Sequence, residues 1–262
     1  MTPIGICVSF ADLPDAHRLG YDFVEVSLAE LAALPEYDFL ELADYIDATG
    51  IAIRACYDML PGDMRITGPG VSAQYQHEYL TGAFFRANRL GVKVIAMDCA
   101  KNRHVPDEND FPAAWRQLGN FMRLVQGHAV NTGLKVAIEP IRKAECNLLN
   151  LVSEATLMAG LLQLDNVGVL PNLGSMAMAS EPLSALRRAM PLIQHVHIEG
   201  ALRKGLPAPG DGENYDKAFR LLTQLNYTGG VSIRSRHTGN FATQAKTALE
   251  YLRLARSMSQ QV

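Results

Sequence analysis

No two cysteines in the chain of 262 residues are spaced for a metal knuckle or a redox motif. Cys7, Cys56, Cys99 and Cys146 stand singly, which points away from a zinc framework and makes buried, reduced thiols the expectation. No run rich in Lys or Arg occurs and the formal charge is −3, so the electrostatic footprint of a nucleic-acid binder is missing. No apolar stretch approaches the roughly 20 residues that span a bilayer. The opening MTPIGICVSF has no basic region ahead of an apolar one, so neither a membrane nor a leader is expected and the reading is cytoplasmic. Linkers and low-complexity breaks are also missing, which leaves one domain over 1–262.

What is present is a core-forming composition, 48% hydrophobic and 19% charged, written as a repeating pattern. Short runs rich in β-branched residues predict strands at 4–9, 22–26, 51–55, 93–98, 134–139, 167–171, 194–198 and 230–234. Helical periodicity fills the gaps at 11–19, 38–49, 75–90, 110–132, 152–163, 182–190, 214–225 and 240–257. Gly50, Gly91 and Gly133 supply helix stops just before strands. Eight βα units in a chain of this length fit a closed (β/α)8 TIM barrel, although an open doubly wound sheet shares the local pattern.

Strand side chains alternate faces, so Glu139 goes with Ala137, His197 with His195, and Arg234 with Ser232. Their neighbours Val136, Ile138, Val196, Ile198, Val231 and Ile233 are apolar and suit the helix-covered outside of a barrel. The small and polar set therefore points inward. Four strand ends in the second half carry Glu139, Asn172, His197 and Arg234, which a barrel brings together at its carboxyl-end mouth. Two readings fit this set: an internal ion pair of Glu139 with Arg234 closing the barrel top, or a site for a small ligand. Asp98 and Glu25 read as solvated loop carboxylates as readily as mouth residues.

The stretch IEPIRKAECN from Ile138 to Asn147 resembles the strand-five signature of the xylose isomerase-like sugar isomerases and epimerases, a group that includes the ketose 3-epimerases. HVHIEG from His195 to Gly200 is similar to the strand-seven signature of that family, and LPAPGDGENY to the loop after it. LPGDMRITGP and NRHVPDE match weaker elements after strands three and four. The resemblance implies a TIM barrel in which Glu, Asp, His and Glu from strands five to eight hold a divalent cation such as Mn or Mg, and two glutamates move protons at a ketose. Glu139 and His197 keep their places in that set. Asn172 stands where Asp is implied, Ser175 where a substrate-binding His is implied, and Arg234 where the second Glu is implied.

These departures agree with one another. Three carboxylates beside a neutral imidazole call for a cation, whereas Glu139, Asn172, a neutral His197 and Arg234 balance without one. A guanidinium repels a metal and suits a carboxylate. The expectation is therefore no metal and no other cofactor. The ligand is expected to be a sugar or sugar derivative, with Glu139 and Arg234 as the catalytic pair and His197, Asn172, Glu145, Asn147, Arg203 and Ser175 as substrate contacts. Arg103 and Arg236 would add positive charge near the mouth. The competing reading is a non-catalytic sugar-binding relative or a partner subunit of an active paralogue, and a homo-oligomer stays open. The His195-Val196-His197 pair resembles the amidohydrolase HxH but sits on the seventh strand rather than the first. The apurinic-site endonucleases require a multi-metal cluster that the residues do not supply.

Overall fold

In the computed structural model, which describes residues 1–106, 111–200, 205–234 and 239–259, eight parallel strands alternate with helices. The order is β1 (Ile4–Cys7), α1 (Leu13–Leu19), β2 (Phe23–Ser27), α2 (Leu28–Ala33), α3 (Glu36–Thr49), β3 (Ile53–Tyr57), α4 (Ala73–Arg89), β4 (Val94–Met97), α5 (Ala100–Arg103) and α6 (Phe111–Thr132). It continues with β5 (Lys135–Ile138), α7 (Val152–Leu162), β6 (Val167–Val169), α8 (Leu173–Met178), α9 (Ala185–Ala189), β7 (Val196–Ile198), α10 (Tyr215–Gln224), β8 (Val231–Ile233) and α11 (Phe241–Met258). This is the (β/α)8 barrel that the alternation predicts.

The sheet runs β6-β5-β4-β3-β2-β1-β8-β7, and the circle is completed between β6 and β7 by two isolated bridges, Val169 to Ile193 and Asn172 to His197. That seam lies directly at the polar strand ends. The alternation of faces explains the two apolar layers. Outward residues such as Val136, Ile138, Val196 and Ile198 join one large core under the helices, while inward Ala96, Ala137 and Leu170 form a separate small cluster inside the barrel. At the bottom of the barrel Phe23 takes the space left by Gly5, where a Cβ would lie 2.3 Å from the ring.

Helix stops behave as their residues require. Gly50 closes α3 at φ 71°, left-handed backbone that a side chain resists. Three helices that periodicity does not reveal, α2, α5 and α8, begin within four residues of strand ends. They are only 6, 4 and 6 residues long, too short to show a repeat. Caps start two of them: Ser27 accepts from the Glu30 amide at 3.2 Å, and Asn172 from the Ser175 amide at 3.1 Å. All four cysteines are free and buried, as their single spacing suggests. Among the described residues no helix is long and apolar enough to cross a membrane.

Candidate functional site

The carboxyl ends of the strands surround a cavity of about 830 Å³. Glu139, Asn172, Ser175, Arg234 and Glu145 line it, five of the residues singled out from the sequence. They are joined by Asp98, which the sequence reads as a solvated carboxylate as readily as a mouth residue, by Asp58, and by Arg142 and Glu199, which sequence reasoning did not bring to the site.

Glu139 sits one residue past β5 and is almost fully buried. Each of its oxygens has a partner: Asn172 Nδ2 donates to Oε1 at 2.9 Å, and His197 Nδ1 to Oε2 at 3.0 Å. Asn172 is fixed by its second bond, since its Oδ1 caps α8 through the Ser175 amide. The carboxamide both gives and accepts here. An aspartate in its place would still cap the helix but would turn a second negative oxygen toward Glu139.

His197 does not reach the cavity, contrary to the expectation of a substrate contact. It is fully buried beneath Glu139, with Nε2 donating to Glu25 Oε2 at 3.2 Å. Carboxylates only accept, so both ring nitrogens carry hydrogen and the ring is an imidazolium. Burial disfavours that charge, but Glu139 and Glu25 outweigh it and push the pKa up to about 10. Glu25 is not a solvated loop carboxylate: it lies wholly inside the barrel, accepting also from His195 Nε2 at 2.5 Å and from Ser232 Oγ. Although burial alone would raise it, His195 and His197 hold its carboxyl well below the usual range. The same balance keeps Glu139 ionised, with burial opposed by the His197 charge and hydrogen bond.

Arg234 does not pair with Glu139. With both Glu139 oxygens taken, its guanidinium crosses to the ends of β3 and β4, where Nη2 meets Asp58 Oδ1 at 2.9 Å and Asp98 Oδ2 at 3.0 Å. The ring of Tyr57 lies 4.3 Å below it. Burial and the adjacent Asp98 raise the half-exposed Asp58 to about 6. Asn147 also lies away from the cavity, exchanging two hydrogen bonds with the Val105 backbone at 2.8 and 2.7 Å. Arg103 adds no charge to the mouth. It is completely buried and donates to the carbonyls of Met97, Glu139 and Leu149. Glu145 stays at the cavity, paired with Arg142 at 2.5 Å. Arg203 and Arg236 lie outside the described residues.

Glu25 and Glu199 carried a signal in the sequence. Glu199 continues the His195-His197 alternation, and Glu25 sits between Phe23 and Ser27 on the inward face of β2. Asp58 and Asp98 carried less, since they follow strand ends in loops whose course no periodicity fixes.

The four positions that would hold a divalent cation do not fit one. Glu139 is engaged at both oxygens, Asn172 turns its donor toward Glu139, His197 has no free lone pair, and Arg234 is cationic. Among the described residues Cys7, Glu25 and His197 bring ligand atoms within 4.8 Å of one another. That trio has the same protonated ring, and burial together with the Glu25 charge pushes the Cys7 thiol well up.

A family model described as xylose isomerase-like TIM barrel matches residues 13–255. No curated protein matches. Solved structures do at low identity. An L-ribulose 3-epimerase is 20% identical with a TM-score of 0.84, covering 100% of this chain and 96% of that one. A 3-keto-D-glucoside 4-epimerase from E. coli is 18% identical with a TM-score of 0.82, covering 97% and 100%. An AP endonuclease of family 2 from Brucella melitensis is 19% identical with a TM-score of 0.78, covering 96% and 99%. At these identities the likeness establishes the architecture.

Proposed function

Because the chain belongs to the xylose isomerase-like TIM-barrel family, we propose that it binds a small polyhydroxy carbonyl compound, a sugar or sugar derivative, at the barrel mouth and moves a carbon-bound proton without a divalent cation. The observation that carries this reading is Glu139: a carboxylate kept ionised by an imidazolium and an amide, lining a cavity large enough for a sugar. An ionised, buried carboxylate beside a hydroxy ketone is placed to take the proton next to the carbonyl. His197 holds it in place and balances its charge, so the imidazolium does part of what the cation does in the implied set. Arg234, fixed over Tyr57 by two aspartates, offers its remaining donors to substrate oxygens. Asn172, Ser175 and Glu145 line the same space and complete the polar contacts.

Several structural neighbours are named for ketoses, among them a D-psicose 3-epimerase solved with D-tagatose and another solved in the presence of D-fructose. Those sugars, together with D-allulose and L-ribulose, are the natural probes. In D2O the wild-type protein is expected to exchange a carbon-bound proton of at least one of them, read by 1H NMR. Glu139→Gln is expected to lower the rate by about 10²- to 10⁴-fold. Unchanged exchange in that variant would remove Glu139 from the chemistry.

One observation favours a second reading, a non-catalytic sugar-binding relative or partner subunit of an active paralogue. Each Glu139 oxygen already has a protein partner, as a purely structural carboxylate would. A ketose-dependent rise in melting temperature with no proton exchange would select it.

A further inference from the structure

Imidazoles on a helix surface are ordinarily satisfied by water, so a pair of them aimed at each other from two different helices is a built arrangement. α4 and α6 pack side by side on the outside of the barrel. His77 lies in the second turn of α4 and His128 in the last two turns of α6. His77 is exposed and His128 half-buried, and neither lines the cavity at the mouth.

Nδ1 of His77 stands 3.2 Å from Nε2 of His128, with ring centroids 4.8 Å apart and ring planes at 49°. Phe84, seven residues beyond His77 and so on the same face of α4, meets the His128 ring edge to face at 6.0 Å and limits its rotation. A hydrogen bond between the two nitrogens needs one to donate and the other to keep its lone pair, so at least one ring is neutral. Burial and the neighbouring His77 hold His128 below the ordinary histidine value, which leaves its ring neutral near pH 7.

Neutral imidazole nitrogens this close also fit a metal ion. Imidazole binds Zn2+ at about 2.0–2.1 Å, and two such bonds from nitrogens 3.2 Å apart meet at about 100°. That angle is normal for neighbouring ligands of a tetrahedral or an octahedral ion. Cu2+, Ni2+ and Zn2+ favour imidazole, whereas Mg2+, Ca2+ and Mn2+ favour carboxylates. His195 and His197, the other facing pair, are instead committed to Glu25 and Glu139.

We propose that His77 and His128 form a binding site for a divalent transition-metal cation that joins α4 to α6 on the outer wall of the barrel, with water in the remaining coordination positions. On binding, the ring that donates across the pair shifts to its other tautomer. Its hydrogen moves through solvent to the far nitrogen, and both facing lone pairs go to the metal. The site stands apart from the mouth, so the role of Glu139 does not bear on it.

Equilibrium dialysis of the full chain, free of any histidine tag, against Cu2+, Ni2+, Zn2+ and Mg2+ tests this assignment. Wild type should retain one ion of Cu2+, Ni2+ or Zn2+ at micromolar free metal, tightest for Cu2+, and no Mg2+. His77→Ala, at an exposed position, should fold as wild type. It and His128→Ala should each weaken binding by about tenfold or more, a loss already typical for an outer partner of a metal ligand. In 1H–15N spectra of the wild type, substoichiometric Cu2+ should broaden the amides around His77 and His128 before any others. No ion retained by the wild type at submillimolar free metal, or a loss under about tenfold in either variant, overturns the site. Broadening centred instead on Cys7, His197 or the mouth overturns it as well.

Discussion

Glu25 holds together four side chains from three other strands, since His195, His197, Ser232 and Cys7 all direct polar hydrogens at its two oxygens. Without it the buried imidazolium of His197 would keep only Glu139 as a counter-charge. Removing one partner of a buried pair costs far more than the net worth of the pair, on the order of 3–5 kcal/mol. Glu25→Gln is therefore expected to destabilise the fold by about that amount in urea unfolding, and a loss under 1 kcal/mol would show that His197 does not need it. Gly174 makes a second prediction. The methyl group of Gly174→Ala overlaps Glu199 Cγ, so the carboxyl must leave its place. Overpacking of this kind costs about 1–3 kcal/mol, and a melting curve together with an activity assay should register both effects. Residue alternation made Glu199 and Glu25 findable, because parity along a strand assigns the face. It did not reveal that Arg234 turns to Asp58 and Asp98 rather than Glu139, since partner choice across a barrel depends on distances between strand ends.

The short helix α5 shows how an element of one turn supports the site. Arg103 at its end donates to the Met97, Glu139 and Leu149 carbonyls, tying the ends of β4 and β5 to the loop beyond Glu139. No carboxylate accompanies this guanidinium in those bonds, and its Nε has no hydrogen-bond partner. Replacing it would relieve a buried charge but orphan three buried carbonyls, each worth about 1–3 kcal/mol. The carbonyls should prevail. Arg103→Met is expected to lose about 2–4 kcal/mol of stability, with faster amide exchange confined to 139–150 and not spread through α1 or α11. The long helices and all eight strands were readable from periodicity to within a few residues. Strands β1, β4, β5, β6 and β8 end earlier than their apolar runs, as at β1, where residues 8 and 9 of the expected 4–9 leave the ladder, whereas β2 and β3 run on to Ser27 and Tyr57. Such ends are where chains turn toward the site, and local composition does not mark the turn.

Across the barrel the buried charges set a pH window. The His197 contribution is complete below the ordinary histidine value and declines as pH rises through about 10, because the folded ring holds its proton more tightly than the unfolded one. Glu25 and Glu139 act in the opposite sense. Their folded pKa values are depressed, so their contribution is present above the ordinary carboxylate range and is lost as pH falls through the lower folded values. Urea titrations across pH should therefore give a maximum between about pH 5 and 7, with an alkaline decline that His197→Gln removes. A decline that persists in that variant would place the titrating group elsewhere.

Barrel closure follows from the same residues. Between β6 and β7 the circle is joined by two backbone bridges, and one of them links Asn172 to His197. Glu139 then spans the gap with its side chain, one oxygen to each. The site is also the clasp of the cylinder. A lineage that exchanges a ligand here edits how its barrel shuts, so Asn172 and His197 would be expected to change together with Glu139 over evolutionary time rather than one by one.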